Sequence, residues 1–423
     1  MKRSLLALFP LVLAAEVHSL SLEEAVRAAF NQNPDVLLAR LDQQKSLQTV
    51  AIARDPFFPK VFTGSGLAWT EGFPATIEGS APSIIQAKGV MSIFNRSQSY
   101  LVAQARENTR AAEQDVRLRQ DDVAYRVAVL YTDALQAARQ VEIAAQQLAS
   151  QERARAAIAQ RVAEGRELEL ELRKAQLAVL KSRQRAETLA MERDRAETDL
   201  ALLLGYPAGD RVRASGEPPR LELPASEDDA VRSALESSRE LRKLESSIAA
   251  KGLEARSYRA QKLPRVDLVA QYGLFSRFNN LQDYFNRFQR NNTQIGASIV
   301  LPLIPSRAAD AFANQADLDV RKLQVQVNST RGRIEAETRK GWQDVRRAEL
   351  ARDVARADLD VAREQLSVNL AQYEEGRLPL AQLEQARVAE NEKWLAYYDA
   401  QHVLERARLY VLKQSGTLLA ALQ

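Results

Sequence analysis

Apolar residues recur at steps of three, four or seven over most of this chain, and at steps of two over a few short stretches. Val116, Val123, Val127, Leu130, Ala134, Ala137, Val141, Ala144 and Leu148 form the first helical stripe. That spacing keeps one face of a helix apolar, and its alanines let a neighbouring backbone come close. Leu172, Ala175, Val179, Ala186, Leu189, Ala196, Leu200 and Leu203 form a return stripe. Ile334, Gly341, Val345, Ala348, Ala355, Leu359, Ala362 and Leu366 repeat the outbound one, with an interruption at Arg352. Residues 96–163 hold neither proline nor glycine, which predicts one helix about 100 Å long at ~1.5 Å per residue. Glu164-Gly165-Arg166 and Glu375-Gly376-Arg377 end the two outbound patterns, and glycine at such a place marks a helix end or a tight turn. Each arm goes far out, turns and returns.

The steps of two lie elsewhere. Val266, Leu268, Ala270, Tyr272 and Leu274 alternate with Asp267, Val269, Gln271 and Gly273. Ile295, Ala297, Ile299 and Leu301 alternate with Gln294, Gly296, Ser298 and Val300. Both patterns predict strands with one apolar face. The earlier counterparts, beginning at Val61 and running again over residues 84–94, are less regular. Aromatic residues crowd around these stretches: Phe57, Phe58, Phe62, Trp69, Phe73 and Phe94 in the first, Tyr272, Phe275, Phe278, Tyr284, Phe285 and Phe288 in the second. Between residues 101 and 205 only Tyr125 and Tyr131 occur. Aromatics at strand ends fit the interfacial girdle of an outer-membrane barrel, and they equally fit a soluble hairpin packed on a helix. Four strands cannot close a barrel, and lipid does not tolerate an open edge. If these strands sit in a membrane, several copies of the chain must contribute, and the helices then form a tube.

The pattern is duplicated. Residues 21–61 align without a gap on 226–266, and residues 96–205 on 307–416. Each copy opens on a helix-capping pair, Ser21 with Glu24 and Ser226 with Asp229. Asn33-Pro34 ends the first helix and starts the next; Ser238-Arg239 stands there in the second copy, which predicts a smaller bend. The organisation expected is a signal peptide at 1–19 and a first repeat at 20–210, with strands about 59–95 and long helices about 96–204. A linker follows at 211–225, then a second repeat at 226–423, with strands about 264–305 and long helices about 306–416.

Composition narrows the function. Of 423 residues 27% are charged, but the net charge is only +4 and the signs are interleaved, so there is no basic block to track nucleic acid. There is no cysteine, which excludes disulfides, thiolate metal sites and a lipidated N-terminal cysteine. His18 and His402 stand alone, and no metal or other cofactor is expected. Lys2 and Arg3 followed by the apolar run 5–15 have the layout of a secretory signal. Cleavage after Ala15 would place bulky Leu13 at −3; cleavage after Ser19 places Val17 and Ser19 at −3 and −1 and is preferred. No segment reaches the ~18 apolar residues of a membrane helix.

With these features the chain resembles the TolC-type outer-membrane efflux proteins. The resemblance is carried by Leu22-Glu23-Glu24-Ala25-Val26 before Asn33-Pro34, by the strand starts at Pro59 and Pro264, and by Leu301-Pro302-Leu303 before Arg307. The turns at Gly165 and Gly376 and the run Leu203-Leu204-Gly205-Tyr206-Pro207 complete it. The order of these motifs, twice over, is more specific than any one of them. The resemblance implies a mostly α fold with membrane β: a trimeric transmembrane barrel, four strands per chain, continued by a long periplasmic α-barrel. It implies a passive duct in the outer membrane of a Gram-negative-type cell, not an enzyme. Its partners would be a periplasmic adaptor and an inner-membrane pump, with compact members serving resistance-nodulation-division pumps for drugs or metal ions. The helical turns would form the periplasmic tip. Adaptor contacts carried over by position are Gly165, Arg166, Gly376, Arg377 and Leu378, and the aperture set is Glu171, Arg377, Gln382 and Glu384. Gln382 departs from the acidic residue expected there, and Glu384 is its substitute. The competing reading is a soluble exported coiled-coil scaffold or adaptor, which explains the arms but not the duplicated strands. No nucleophile elbow, phosphate loop or metal-ligand cluster supports an enzyme.

Overall fold

A computed structural model of the chain describes residues 16–66, 83–216, 221–275, 291–303 and 307–422. Its long helices come in matched pairs. Outbound helices α3 (Arg96–Ala163) and α7 (Arg307–Glu374) have 68 residues each, and return helices α4 (Glu169–Leu204) and α8 (Leu380–Ser415) have 36 each. The bounds coincide across the aligned blocks, so the duplication is structural. Every position of the first apolar stripe is buried or half-buried, as a packing seam requires.

Each copy is headed by a broken helix. In the first, α1 (Leu22–Gln32) gives way to α2 (Pro34–Arg54). The Glu24 amide donates to the Ser21 hydroxyl at 3.3 Å and the Ser21 amide to the Glu24 carboxylate at 2.8 Å, which closes the capping box. Asn33 accepts from the Asp35 amide at 2.9 Å and donates to the Leu203 carbonyl at 2.8 Å, so it caps α2 while holding the end of α4. In the second copy α5 (Glu227–Ser237) and α6 (Arg239–Ala260) are separated at Ser238. The interruption therefore persists without the proline.

All four long-arm helix ends carry the same glycine stop. The amide of Gly165 bonds back to Val162 and that of Arg166 to Arg161; Gly376 and Arg377 do the same to Tyr373 and Gln372. Gly205 with Tyr206, and Gly416 with Thr417, repeat it at the return ends. These are Schellman closures, which need a left-handed residue, and all four glycines have φ between 71° and 90°.

The chain divides into two compact units. The first takes residues up to 39, 116–238 and from 331 onward. Its core joins Ala25, Val26 and Val36 to Val123, Val127 and Tyr131 of α3, Leu200 and Leu204 of α4, and Leu409 and Leu412 of α8. A two-stranded parallel sheet closes it: β1 (Val17–Leu20) beside β4 (Arg211–Ala214). The stretch 211–225, read as a linker, thus contributes a paired strand. The short helix α9 (Leu418–Ala421) ends the described chain.

The second unit, residues 40–115 and 239–330, holds a four-stranded antiparallel sheet in the order β2 (Lys60–Gly66), β3 (Ser83–Phe94), β5 (Arg265–Phe275), β6 (Asn291–Val300). Two strands come from each repeat. Ser97 and Ser257 hydroxyls meet at 3.0 Å and Gln104 donates to Glu254 at 2.8 Å, tying the first repeat's helix to the second's beside the sheet. The aromatics Trp69, Phe73, Phe278, Tyr284, Phe285 and Phe288 lie outside the described residues.

Candidate functional site

Register sorts the sheet into an apolar face and a more polar, mixed one. Val61, Gly89, Ala270 and Ile295 stand in one row; Met91, Leu268 and Ala297 in the next on the same face; Val266 pairs with Ile299 beyond them. Ala87 with Tyr272, and Ile85 with Leu274, extend that face the other way. The opposite face carries Phe62, Lys88, Gln271 and Gln294 in one row, Lys60, Val90, Val269 and Gly296 in the next, Gln86, Gly273 and Asn292 in another, and Ser92, Asp267 and Ser298 in a fourth. There the Ser92 hydroxyl donates to Asp267 at 2.5 Å. The apolar face is uncovered: Ile295 is 77% and Ile299 70% exposed. Eight of the nine strand residues expected to be apolar-facing lie on it, and exposed Leu301 follows the end of β6. The irregular alternation of the first repeat has a simple cause. Its outward positions on β3 are Ala87, Gly89 and Met91, small or flexible residues that weaken the hydropathy signal while keeping the period.

Both outer strands are open. Among the described residues β2 pairs only with β3 and β6 only with β5. A sheet with one bare apolar face and two free edges is not a finished object in water or in lipid.

The second feature is the pair of helix turns. Gly165 and Gly376 sit in open space, with nothing within 4 Å of where a Cβ would stand. The following arginines are exposed and each pairs with the glutamate two residues before it: Arg166 with Glu164 at 3.3 Å, Arg377 with Glu375 at 3.0 Å. Leu378 is half-buried, and Gln382 is exposed. Arg161 of α3 donates to the Tyr373 hydroxyl of α7 at 3.2 Å, joining the two turns within one chain. Leu168 and Leu170, exposed beside the first turn, are apolar tip residues that the charge-led reading overlooked.

The four residues read as aperture-lining do not share one environment. Glu171 pairs with Lys174 at 2.7 Å and lines a cleft of about 400 Å³ that also holds Glu384. Glu384 is only 8% exposed and pairs with Arg387 at 3.0 Å. Burial pushes its carboxyl up from the ordinary value, opposed by Arg387, Arg153 and the Ser150 hydroxyl. Glu384 thus packs within its own chain, whereas Gln382, whose place it was expected to take, is exposed. Arg377 and Gln382 remain outside that cleft, facing solvent.

Among the described residues no helix is long and apolar enough to cross a membrane. A family model described as outer membrane efflux protein matches residues 25–206. No curated protein sequence matches the chain. Among solved structures the chain is similar to CusC, reported for its folding and transmembrane channel formation, at 16% identity and TM-score 0.74 over 93% of this chain and 92% of that one. It is similar to the outer membrane protein VceC from Vibrio cholerae at 15% identity and TM-score 0.72, covering 93% and 96%. It is similar to the open state of the Neisseria gonorrhoeae MtrE outer membrane channel at 16% identity and TM-score 0.71, covering 94% and 89%. At such identities the likeness to these structures is one of fold.

Proposed function

We propose, from a first repeat that matches the outer membrane efflux protein model and a fold similar to that of solved outer-membrane channels, that this protein is the outer-membrane duct of a tripartite efflux system. Three copies join edge to edge, β6 of one beside β2 of the next, so that four strands per chain become a closed barrel. The long helices of the three copies continue the barrel as a periplasmic tube. The turns at Gly165 and Gly376 point to a periplasmic adaptor and, through it, to an inner-membrane pump. The cargo is a small toxic compound or a metal ion, which the duct passes without chemistry.

The observation that carries this reading is the two-faced sheet with open edges. The row Val61, Gly89, Ala270, Ile295 suits lipid, and Lys88, Gln271 and Gln294, with Phe62 at the edge of their row, give the other face the polar groups of a water-filled lumen. The helices add support. Leu350, Val354, Val361 and Val368 form an exposed apolar stripe on α7, and Leu170, Leu177 and Leu180 another on α4. Apolar stripes at helical spacing are seams in want of a partner, and a second copy of the chain supplies one.

The tip supports a gate in the same scheme. Helix ends are held by few contacts and move at low cost. Three copies of one charge at a narrow opening act together, because a constriction focuses their field. Glu171, Arg377 and Gln382 are the residues proposed for that constriction, and Arg166, Arg377, Leu378 and Leu168 for adaptor contact.

Because the chain has no cysteine, introduced pairs report on assembly cleanly. Cysteine at Val61 combined in turn with cysteine at Ile295, Ala297 or Ile299 should give, on oxidation in membranes, a ladder that stops at three chains. Monomers in every combination, or a ladder running past three, would refute the trimeric barrel.

A further inference from the structure

The residues that make Val17 and Ser19 look like a peptidase site also make a strand, and the structure uses them as one. β1 runs parallel to β4 with Val17 opposite Arg211, His18 opposite Val212, Ser19 opposite Arg213 and Leu20 opposite Ala214. The pairing is fastened at both ends. The Arg211 amide donates to the Glu16 carbonyl at 2.9 Å, and the Ser215 amide to the Leu20 carbonyl at 3.0 Å. The Glu16 amide donates to the Asp210 carboxylate at 3.1 Å. Tyr131 of α3 places its hydroxyl 2.5 Å from the Ser215 carbonyl and 3.2 Å from that of Leu20, so its one proton goes to Ser215 at the close of the sheet. His18 stacks on Tyr206 with ring centres 4.5 Å apart and sets Nε2 3.6 Å from Asp210.

β4 depends on this neighbour. Among the described residues β1 is its only strand partner. Val212 has no exposed surface and belongs to the core, while Arg211 and Arg213 reach α4 at Asp194 (2.8 Å) and Glu197 (3.5 Å). Removing residues 16–19 would take the strand partner from Arg211, Val212 and Arg213, the ring from Tyr206 and both contacts from Asp210. Buried backbone groups left without partners are costly, so such a cut is incompatible with this closure.

We propose that the leader is cut ahead of Glu16, at one of the two amides flanking Ala15, and that Glu16–Leu20 is retained as a structural strand of the exported protein. A leader peptidase hydrolyses the bond: water adds across the amide, the leader departs with an alanine carboxylate, and the mature chain keeps the new α-amino group. Ala14 and Ala15 give a small residue on the leaving side of either bond, directly after the apolar run. Cutting at Ala15–Glu16 sets the new ammonium at the Glu16 nitrogen, already 3.1 Å from the Asp210 carboxylate, where the hydrogen bond becomes an ion pair. This inference rests on the leader layout of Lys2, Arg3 and the apolar run 5–15 and not on the channel reading, so the two can fail separately.

The test is N-terminal sequencing and intact mass of the protein purified from cell envelopes. A start at Glu16 or Ala15 is expected. A start at Leu20 or later, or a chain still carrying Lys2, overturns the proposal. A second variant, with the leader joined directly to Leu20, tests the strand itself. It should become sensitive to trypsin after Arg211 and Arg213, with cutting at least tenfold faster than in the parent. Equal resistance in the two proteins would show the strand to be dispensable and overturn its retention as the reason for the cut.

Discussion

Alanine at Gly205 or Gly416 should destabilise the protein more than alanine at Gly165 or Gly376, although all four glycines do the same conformational work. Each closes a helix in the left-handed region, where an L-residue with a Cβ costs about 1–2 kcal/mol. At Gly165 and Gly376 nothing lies within 4 Å of the new Cβ, so that is the whole cost. At Gly205 the Cβ would stand 2.9 Å from the Gln32 carbonyl oxygen and 3.1 Å from the Gln32 Cβ. At Gly416 it would meet the Ser237 side chain, whose Cβ lies only 2.6 Å away. Overpacking of this kind adds about 1–3 kcal/mol, for a total of about 2–5 kcal/mol. The assay is thermal unfolding of the four detergent-purified variants side by side. At about 2 °C per kcal/mol, the scale for the larger domains, the Gly205→Ala and Gly416→Ala midpoints should fall about 2–6 °C below those of the tip variants. Equal shifts at all four sites would mean that the head helices α1 and α5 do not seat against the return-helix ends as closely as described.

Three further outcomes are expected. Leu268→Arg or Ile299→Arg should cost about 2–4 kcal/mol near the bilayer midplane while Gln271→Arg costs much less, as read by folding into lipid vesicles; equal tolerance on both faces would contradict the face assignment. Glu384→Gln should stabilise the protein at pH values above the raised pKa of that carboxyl, where the parent must bury a charge. The difference should vanish below the ordinary glutamate value near 4.5, where the side chain is protonated in both the folded and unfolded chains; a difference independent of pH would exclude burial as its cause. Replacing Glu171 and Arg377 together should raise single-channel conductance without dissociating trimers, and unchanged conductance and ion selectivity would place both residues outside the constriction.

The duplication, the long arms and the glycine turns were legible because each is a local signal repeated many times or twice over. The seam from Val116 to Leu148 repeats over about nine turns, and Gly165 and Gly376 stand where the two 68-residue helices stop. The second pair of strands was legible for the same reason: alternation survives in Leu268, Ala270 and Tyr272. Its counterpart in β3 was faint, because Ala87 and Gly89 fill positions on the apolar face with little hydropathy. What sequence could not resolve was set by distant contacts. Glu384 reads as a tip carboxylate until Ser150 and Arg153, more than 200 positions earlier, are found against it. Val17 and Ser19 read as a cleavage motif because nothing local reveals that residues 211–214 lie alongside. Tyr131 looked like a stray aromatic in a long helix, and its role as the clasp on that sheet depends on Leu20 and Ser215.

Planar-bilayer recording on the size-selected, detergent-purified protein is the most direct test that three copies form a transmembrane duct. Material eluting at the mass of a trimer should insert in discrete steps of equal conductance, each step lost when the trimer is dissociated beforehand. A protein that elutes as a soluble monomer, remains in aqueous fractions without detergent and never produces a step would contradict the duct and leave the exported coiled-coil scaffold as the reading that fits.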